Sequence, residues 1–205
     1  MLITGTSSSD VIIVLPGPTS ATLTVVFDLS LTVVAKPSGR IIILGGEGND
    51  LVSVLCTSNR AWLYGDAGND VLIAGSGSSL LIGGDGNDIL FGGLGRDVMI
   101  GGNGADLLFS GSNDDILVAG LTTKDSRSEP GHESFWGSVL AEWNSASPFA
   151  TRVQNLRTGP SALLPHVQDD LSPDAVDILA GGTGNDWLIF LASEDYVLGK
   201  AEAAN

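Results

Sequence analysis

From residue 65 to residue 118 the chain alternates six polar or glycine-rich positions with three apolar ones. The apolar triplets are Val71-Leu72-Ile73, Leu80-Leu81-Ile82, Ile89-Leu90-Phe91, Val98-Met99-Ile100, Leu107-Leu108-Phe109 and Ile116-Leu117-Val118. Each is too short for a helix and consists largely of good strand formers, so the period predicts short strands joined by tight turns. Two nine-residue units close one coil of eighteen residues, and stacked coils give two parallel sheets. The central residue of each triplet (Leu72, Leu81, Leu90, Met99, Leu108 and Leu117) is expected to point inward, its two neighbours outward.

The rest of the chain departs from this period in two places. Residues 22–34, TLTVVFDLSLTVV, alternate strictly, which puts Leu23, Val25, Phe27, Leu29, Leu31 and Val33 on one face of one or two strands. With RIIILGG they are expected to extend the stack toward the N terminus in longer, irregular coils. GTSSSDVIIV, whose turn ends at Asp10, reads as a degenerate opening copy. Segment 119–176 breaks the period altogether. There Trp136, Val139, Leu140 and Trp143 share a helical face. Ser147-Pro148 reads as an N-cap followed by proline, then Phe149, Val153 and Leu156 at helical spacing, with Gly159 as the stop. The period returns as AVDILAGGTGNDWLIF. The expected fold is therefore all-β, a parallel β-roll or β-solenoid with an inserted helical hairpin. Its parts are a stack over 1–118 (clearest at 65–118), an insertion over 119–176, and a returning coil with a tail over 177–205.

Outward positions of this stack are also apolar. One sheet would show Val71, Ile73, Ile89, Phe91, Leu107 and Phe109, the other Leu80, Ile82, Val98, Ile100, Ile116 and Val118. Patches of that size call for a cover. The hairpin is the local candidate, and self-association through these faces is the rival.

Charge adds the chemistry. The formal net charge is −15, and 18 of the 24 acidic residues are Asp. Such a chain is a poor partner for nucleic acid or anionic membranes and a good one for cations. The aspartates keep phase with the repeat: its sixth position is Asp70, Ser79, Asp88, Asp97, Asp106 and Asp115, with Asp50, Asp177 and Asp186 in the outlying copies. Glycines beside them permit positive φ and let backbone carbonyls approach a ligand. Calcium takes six to eight oxygens at relaxed geometry, which a turn of carboxylates and bare carbonyls supplies.

These residues, with GGDGND, GGLGRD and GGNGAD in phase, resemble the RTX (repeats-in-toxin) calcium-binding nonapeptide family. The resemblance covers about half the chain. It implies several calcium ions, each held between turns one coil apart. The carboxylates would come from Asp50, Asp70, Asp88, Asp97, Asp106, Asp115, Asp177 and Asp186. Main-chain oxygens would come from Gly65, Gly68, Gly83, Gly84, Gly86, Gly92, Gly93, Gly95, Gly101, Gly102, Gly104, Gly181, Gly182 and Gly184. On this reading Asp70, Asp88 and Asp106 stack along one edge, with two complete sites. Ser79, Asp97 and Asp115 stack along the other, where the site beside Ser79 is weak or empty. If the insertion interrupts a single turn, Asp177 stacks on Asp106 and Asp186 on Asp115, while Asp50 pairs with Asp70. A flexible linker or a metal-free glycine-rich stack is the bland alternative, and linkers carry no in-phase apolar triplets. Binding energy is then folding energy, and the calcium-free repeats are expected to be largely disordered.

Other chemistry is scarce. Cys56 alone forms no internal disulfide and reads as a small buried apolar residue. His132 and His166 are expected at the surface. HESF lacks the second histidine of a zinc-protease helix, and no Gly-x-Ser-x-Gly elbow occurs, so no enzyme is expected. The N terminus has no basic start, and its apolar run is too short for a standard secretory signal. That leaves open a protein that stays inside, one exported by another route and a piece of a longer chain; the ion requirement and the resemblance imply a place outside the cell or at its surface, with the tail SEDYVLGKAEAAN as a candidate export signal. LAEW…ATRVQNL is itself similar to segments of large bacterial secreted or surface proteins with such repeats. The leading expectation is a calcium-dependent structural module. The alternative is a non-catalytic accessory or carbohydrate-binding domain of a larger exported enzyme or adhesin, with polysaccharide or cell-surface components as partners.

Overall fold

The computed structural model describes residues 1–55, 58–168, 176–189, 195–198 and 201–203. Cys56 and parts of the C-terminal tail lie outside the described residues. The chain opens with β1 (Leu2–Thr4) and β2 (Val11–Pro16), then an antiparallel hairpin of β3 (Thr22–Phe27) and β4 (Ser30–Ala35). The stack follows as β5 (Ile41–Glu47), β6 (Leu51–Val54), β7 (Ala61–Ala67), β8 (Val71–Ile73), β9 (Leu80–Asp85) and β10 (Ile89–Gly93). It continues through β11 (Val98–Asn103), β12 (Leu107–Gly111) and β13 (Ile116–Val118). The insertion carries β14 (Leu121–Thr122), α1 (His132–Trp143), α2 (Phe149–Thr158) and β15 (Val167–Gln168). Finally β16 (Ile178–Ala180), β17 (Asp186–Ile189), β18 (Tyr196–Leu198) and β19 (Ala201–Ala203) rejoin the stack.

Successive strands of the stack alternate between two sheets. The front sheet runs β1-β5-β7-β9-β11-β13-β17-β19, and the back sheet β18-β16-β12-β10-β8-β6-β2-β3-β4. Every pairing in these two sheets is parallel except β2 with β3 and β3 with β4. Val71 faces Ile89 and Ile89 faces Leu107, a register of eighteen residues. The register stretches to twenty where Ile42 faces Trp62. It jumps across the insertion, where Leu107 faces Ile178. Two parallel sheets fed alternately by one chain are consistent with a β-roll.

Both sheets bury their inner faces against each other. Leu72, Leu81, Leu90, Met99, Leu108 and Leu117 are fully buried in this inner core, with Leu179 and Leu188 extending it beyond the insertion. A second core lies on the outside of the front sheet. There Trp62, Tyr64, Leu80, Ile82, Val98, Ile100, Ile116, Val118 and Trp187 pack with Trp136, Val139, Leu140 and Trp143 of α1 and with Val153 and Leu156 of α2. The helical pair therefore covers the front sheet. Among the described residues the back sheet has no such cover: Phe91 is exposed and stacks on Phe109 with ring centroids 5.2 Å apart.

Three local expectations need correction. Leu29, Leu31 and Val33 do not share a face with Leu23 and Val25, because the chain reverses at Asp28-Leu29, both at positive φ. A two-residue hairpin turn inverts the parity of inward positions, so Val34 pairs with Leu23 while Leu31 and Val33 face solvent. Second, α2 starts one residue later than expected, with Pro148 as N-cap and no side-chain cap from Ser147. The third correction is His132, which is 3 % exposed rather than superficial. Its Nδ1 donates to Lys124 O at 2.7 Å, which leaves Nε2 to accept from Tyr64 Oη at 2.8 Å. With both ring nitrogens satisfied, the ring is buried at little cost.

Candidate metal centre

Turns between consecutive strands lie along two edges of the stack. On the first edge the aspartates form a column tied through the backbone. Asp10 N–H donates to Asp50 Oδ1, Asp50 to Asp70 and Asp70 to Asp88, each at 2.7 Å. Asp88 donates to Asp106 at 2.8 Å, Asp106 to Asp177 at 2.7 Å and Asp177 to Asp195 at 3.2 Å. On the second edge Ser79 N–H donates to Asp97 Oδ1 at 2.7 Å, Asp97 to Asp115 at 2.7 Å and Asp115 to Asp186 at 3.0 Å. The insertion thus interrupts a single first-edge turn. The chain leaves the stack at Ala119 and returns at Asp177, which stacks on Asp106.

One carboxylate oxygen of each pair is spent in that ladder; the other is not. Oδ2 of Asp50, Asp70, Asp88, Asp97 and Asp186 is buried and accepts no hydrogen bond. Each faces the first glycine of its own turn. A Cβ at Gly83 would come within 3.0 Å of both Asp88 Oδ2 and Gly101 O, and one at Gly65 within 3.0 Å of both Asp70 Oδ2 and Gly83 O. The same holds at Gly45 and Gly101 on the first edge and at Gly92 on the second. At Gly45, Gly65, Gly83 and Gly92 a carboxylate oxygen that accepts no hydrogen bond and a carbonyl oxygen from the next coil therefore converge on the bare side of the glycine. A cation fits such a cradle; a neutral apolar group does not. Gly84 and Gly86 serve the turn differently. Both hold positive φ, +120° and +128°, and a Cβ on either would strike the carbonyl of the preceding coil.

Electrostatics point the same way. Burial, and then the charges stacked alongside, raise Asp70 to about 6, Asp88 to about 7 and Asp115 to about 9. Burial also raises Asp186 to about 6 and lifts Asp50 and Asp97 above the usual carboxylate range. Carboxylates one coil apart, about 4.8 Å, repel by about 3 kcal/mol per neighbouring pair at an effective dielectric of about 20. Without a counter-charge these columns favour protonation over folding with their charges intact.

Among the described residues no three His, Cys, Asp or Glu side chains converge to hold a metal by themselves. Consecutive aspartates sit a full coil apart, so backbone carbonyls have to complete any ligand set. The predicted glycines occupy the turns that offer them: Gly65, Gly68, Gly83, Gly84, Gly86, Gly101, Gly102 and Gly104 on the first edge, Gly92, Gly93, Gly95, Gly181, Gly182 and Gly184 on the second. Turn 74–79 offers no carboxylate. Ser79 is fully buried there, and its Oγ donates to Gly77 O at 2.9 Å.

Asp195 and a ladder of asparagines were not expected from the sequence, and Asp10, expected as the end of a degenerate opening copy, joins the column. Asp10 and Asp195 extend the first column at its two ends. Asp10 is closed off by protein donors, since Thr6 N–H reaches its Oδ2 at 2.5 Å and Thr6 Oγ1 lies 3.0 Å from the same oxygen. A second ladder runs beside the aspartates, with Asn69 N–H donating to Asn49 Oδ1 and Asn87 N–H to Asn69 Oδ1, both at 2.8 Å. Its signal is in the sequence as Gly-Asn-Asp at 48–50, 68–70, 86–88 and 184–186.

A family model for the RTX calcium-binding nonapeptide repeat matches residues 64–99, 92–121 and 174–201, with four copies. Comparison with curated proteins and with solved structures returns no match. Among the described residues no helix is long and apolar enough to cross a membrane.

Proposed function

Because the chain carries four copies of the RTX calcium-binding nonapeptide repeat, we propose that it is a calcium-binding β-roll module whose stack becomes fully ordered as its turns take up several ions. One observation supports this most directly: Oδ2 of Asp50, Asp70, Asp88 and Asp97 is buried without a donor, each set against a carbonyl of the next coil. Residues suited to hold the ions are Asp50, Asp70, Asp88 and Asp106 with the carbonyls of Gly65, Gly83, Gly101 and Ala119. On the other edge they are Asp97, Asp115 and Asp186 with the carbonyl of Ser110. Bound calcium supplies the positive charge that lets stacked carboxylates remain ionised in a buried row.

The chain's own parts have distinct tasks. Each backbone N–H of the column orients one carboxylate and leaves its second oxygen facing the neighbouring turn. First-position glycines keep that space open, and the apolar triplets fix the spacing between coils. Ser79 contributes a hydroxyl already committed to Gly77 O, so its turn binds weakly or not at all. Requiring external calcium would keep the chain unfolded in the cytosol and allow it to fold after export, at the cell surface or beyond it.

Far-ultraviolet circular dichroism and thermal melting with chelator and with millimolar calcium, the range of extracellular calcium modules, test this reading. Calcium is expected to raise strand signal and melting temperature, and magnesium to do so poorly because it demands tight octahedral geometry. Identical spectra and melts in chelator and calcium would overturn it.

A further inference from the structure

The two edges are not supported alike. On the second edge the fifth residue of each turn (Ser78, Arg96, Asp114 and Asn185) lies next to a column residue, and three of the four are gripped by the helical insertion. Ser78 Oγ donates to Asn144 Oδ1 at 2.6 Å, and Arg96 Nη1 to Ser145 O at 3.1 Å. Trp143 Nε1 donates to Asp114 O at 2.8 Å, and Arg152 pairs with the Asp114 carboxylate. Arg152 is 2 % exposed and also donates to Trp143 O at 2.9 Å and to Ser147 O at 3.1 Å. Asp114 in turn accepts from Asn185 N–H at 3.0 Å, which carries the connection to the last of the four turns.

First-edge turns are held differently; from the insertion, Arg127 places its charge near Asp66. Their fifth positions Asn49, Asn69 and Asn87 bond along their own ladder, ending at Ala105 N–H on Asn87 Oδ1. Among the described residues α1, α2 and their connection make no hydrogen bond or ion pair with a first-edge turn. From this asymmetry, and resting on the calcium-binding reading above, we infer that the helical insertion is a protein-made brace for one row of calcium turns. Arg152 is its positioning residue, and it creates two unlike classes of site.

The physical reason is preorganisation. A turn already held by Arg152, Trp143 and Asn144 loses less conformational freedom when an ion binds, so less of the binding energy is spent on ordering it. The carboxylate-bearing second-edge turns, ending at Asp97 and Asp115, therefore fill at lower calcium than first-edge turns, whose ordering is left to the ion. Loss of the brace lowers the affinity of the second edge and leaves the first edge nearly as it was.

The test uses the full chain and calcium alone, titrated into wild type and Arg152→Met. Order is read by amide hydrogen exchange at Asp97 and Asp115 for the second edge and at Asp70 and Asp88 for the first. Tryptophan fluorescence gives a second reading, since all four tryptophans lie in the helix-covered core. In wild type the second-edge amides gain protection at lower calcium than the first-edge amides. In Arg152→Met the second-edge midpoint rises about tenfold and the first-edge midpoint moves less than twofold. If Arg152→Met does not fold, Arg96→Gln, which removes only the bond to Ser145 O and a 3.8 Å pair with Asp114, carries the same comparison with a smaller shift. Wild-type edges that order together, with both midpoints moving equally in the variant, would overturn the brace and leave calcium binding standing. A wild type that takes up no calcium would overturn both.

Discussion

Replacing Asp88 by Asn should change stability in opposite directions with and without calcium. Asp88 is 1 % exposed, its Oδ1 accepts the Asp70 N–H at 2.7 Å, and its Oδ2 has no donor. An amide keeps the accepting oxygen and turns the other atom into a donor facing the carbonyl cradle. In the metal-free chain at pH 8 the wild-type carboxylate carries a penalty. Its ionisation is raised from 3.8 to about 7 by burial and then by Asp70 and Asp85. Three units correspond to about 4 kcal/mol on the order-of-magnitude scale of 1.36 kcal/mol per unit, and Asp88→Asn removes most of it. With calcium the balance is expected to reverse, because Asp88 lies between Asp70 and Asp106 and on the proposed reading serves two sites. A site held at about a hundredfold over its dissociation constant stabilises the folded state by about 2.7 kcal/mol, so weakening two sites costs about 3–5 kcal/mol. Melting followed by circular dichroism at pH 8 reads both arms. Asp88→Asn should show more strand signal than wild type in chelator and should melt about 10 °C lower in millimolar calcium, at about 2–4 °C per kcal/mol for a chain of this size. A shift of the same sign in both conditions would refute the assignment of Asp88 as a charge buried for a cation.

Other outcomes follow from the same geometry. Asp88→Ala should lower both the calcium stoichiometry by titration calorimetry and the melting temperature, and Ser79→Ala should change either only slightly. Gly86→Ala, at φ +128° and against Gly68 O, should cost more than the roughly 1–2 kcal/mol that an L-residue loses in a left-handed conformation and leave the stack poorly ordered even in calcium, as seen by circular dichroism. For the metal-free chain, folded-state values near 6, 7 and 9 for Asp70, Asp88 and Asp115 lie above the unfolded value. Their contribution is complete below about pH 4 and is lost as pH rises through 6 to 9. Strand signal in chelator should therefore grow on acidification from pH 8 to pH 5, while calcium affinity by titration weakens over the same range as protons compete. A calcium-free chain that loses strand signal on acidification would contradict that sign.

What the sequence determined by itself was whatever repeats locally. A nine-residue period with three apolar residues permits one spacing of strands, so the inward set from Leu72 to Leu117, the eighteen-residue register and the phase of the aspartates were legible from the order of residues alone. The stacking of Asp177 on Asp106 and of Asp186 on Asp115 was legible too, because a solenoid resumes in register wherever it resumes. The phase of Asp10 was legible as a degenerate opening copy, whereas the Asn ladder is equally local and was missed, although Gly-Asn-Asp recurs in plain sight.

Tertiary structure decided what depends on elements remote in sequence. The hairpin at Asp28-Leu29 inverted the inward face of β4, because a reversal of the chain reverses parity and period alone does not mark where the chain turns. His132 looked superficial because its partners, Lys124 O and Tyr64 Oη, are set by how the insertion lies on the front sheet. The same placement put Arg152 beside Asp114 and Trp143. A buried cation in a helix of modest hydrophobicity carries no periodic signal, and its meaning comes only from the turn it reaches. Thus short-range repetition wrote the coil and its row of carboxylates, whereas the burial that raises those carboxylates, and the uneven bracing of the two edges, arise only when the whole stack and its insertion are packed together.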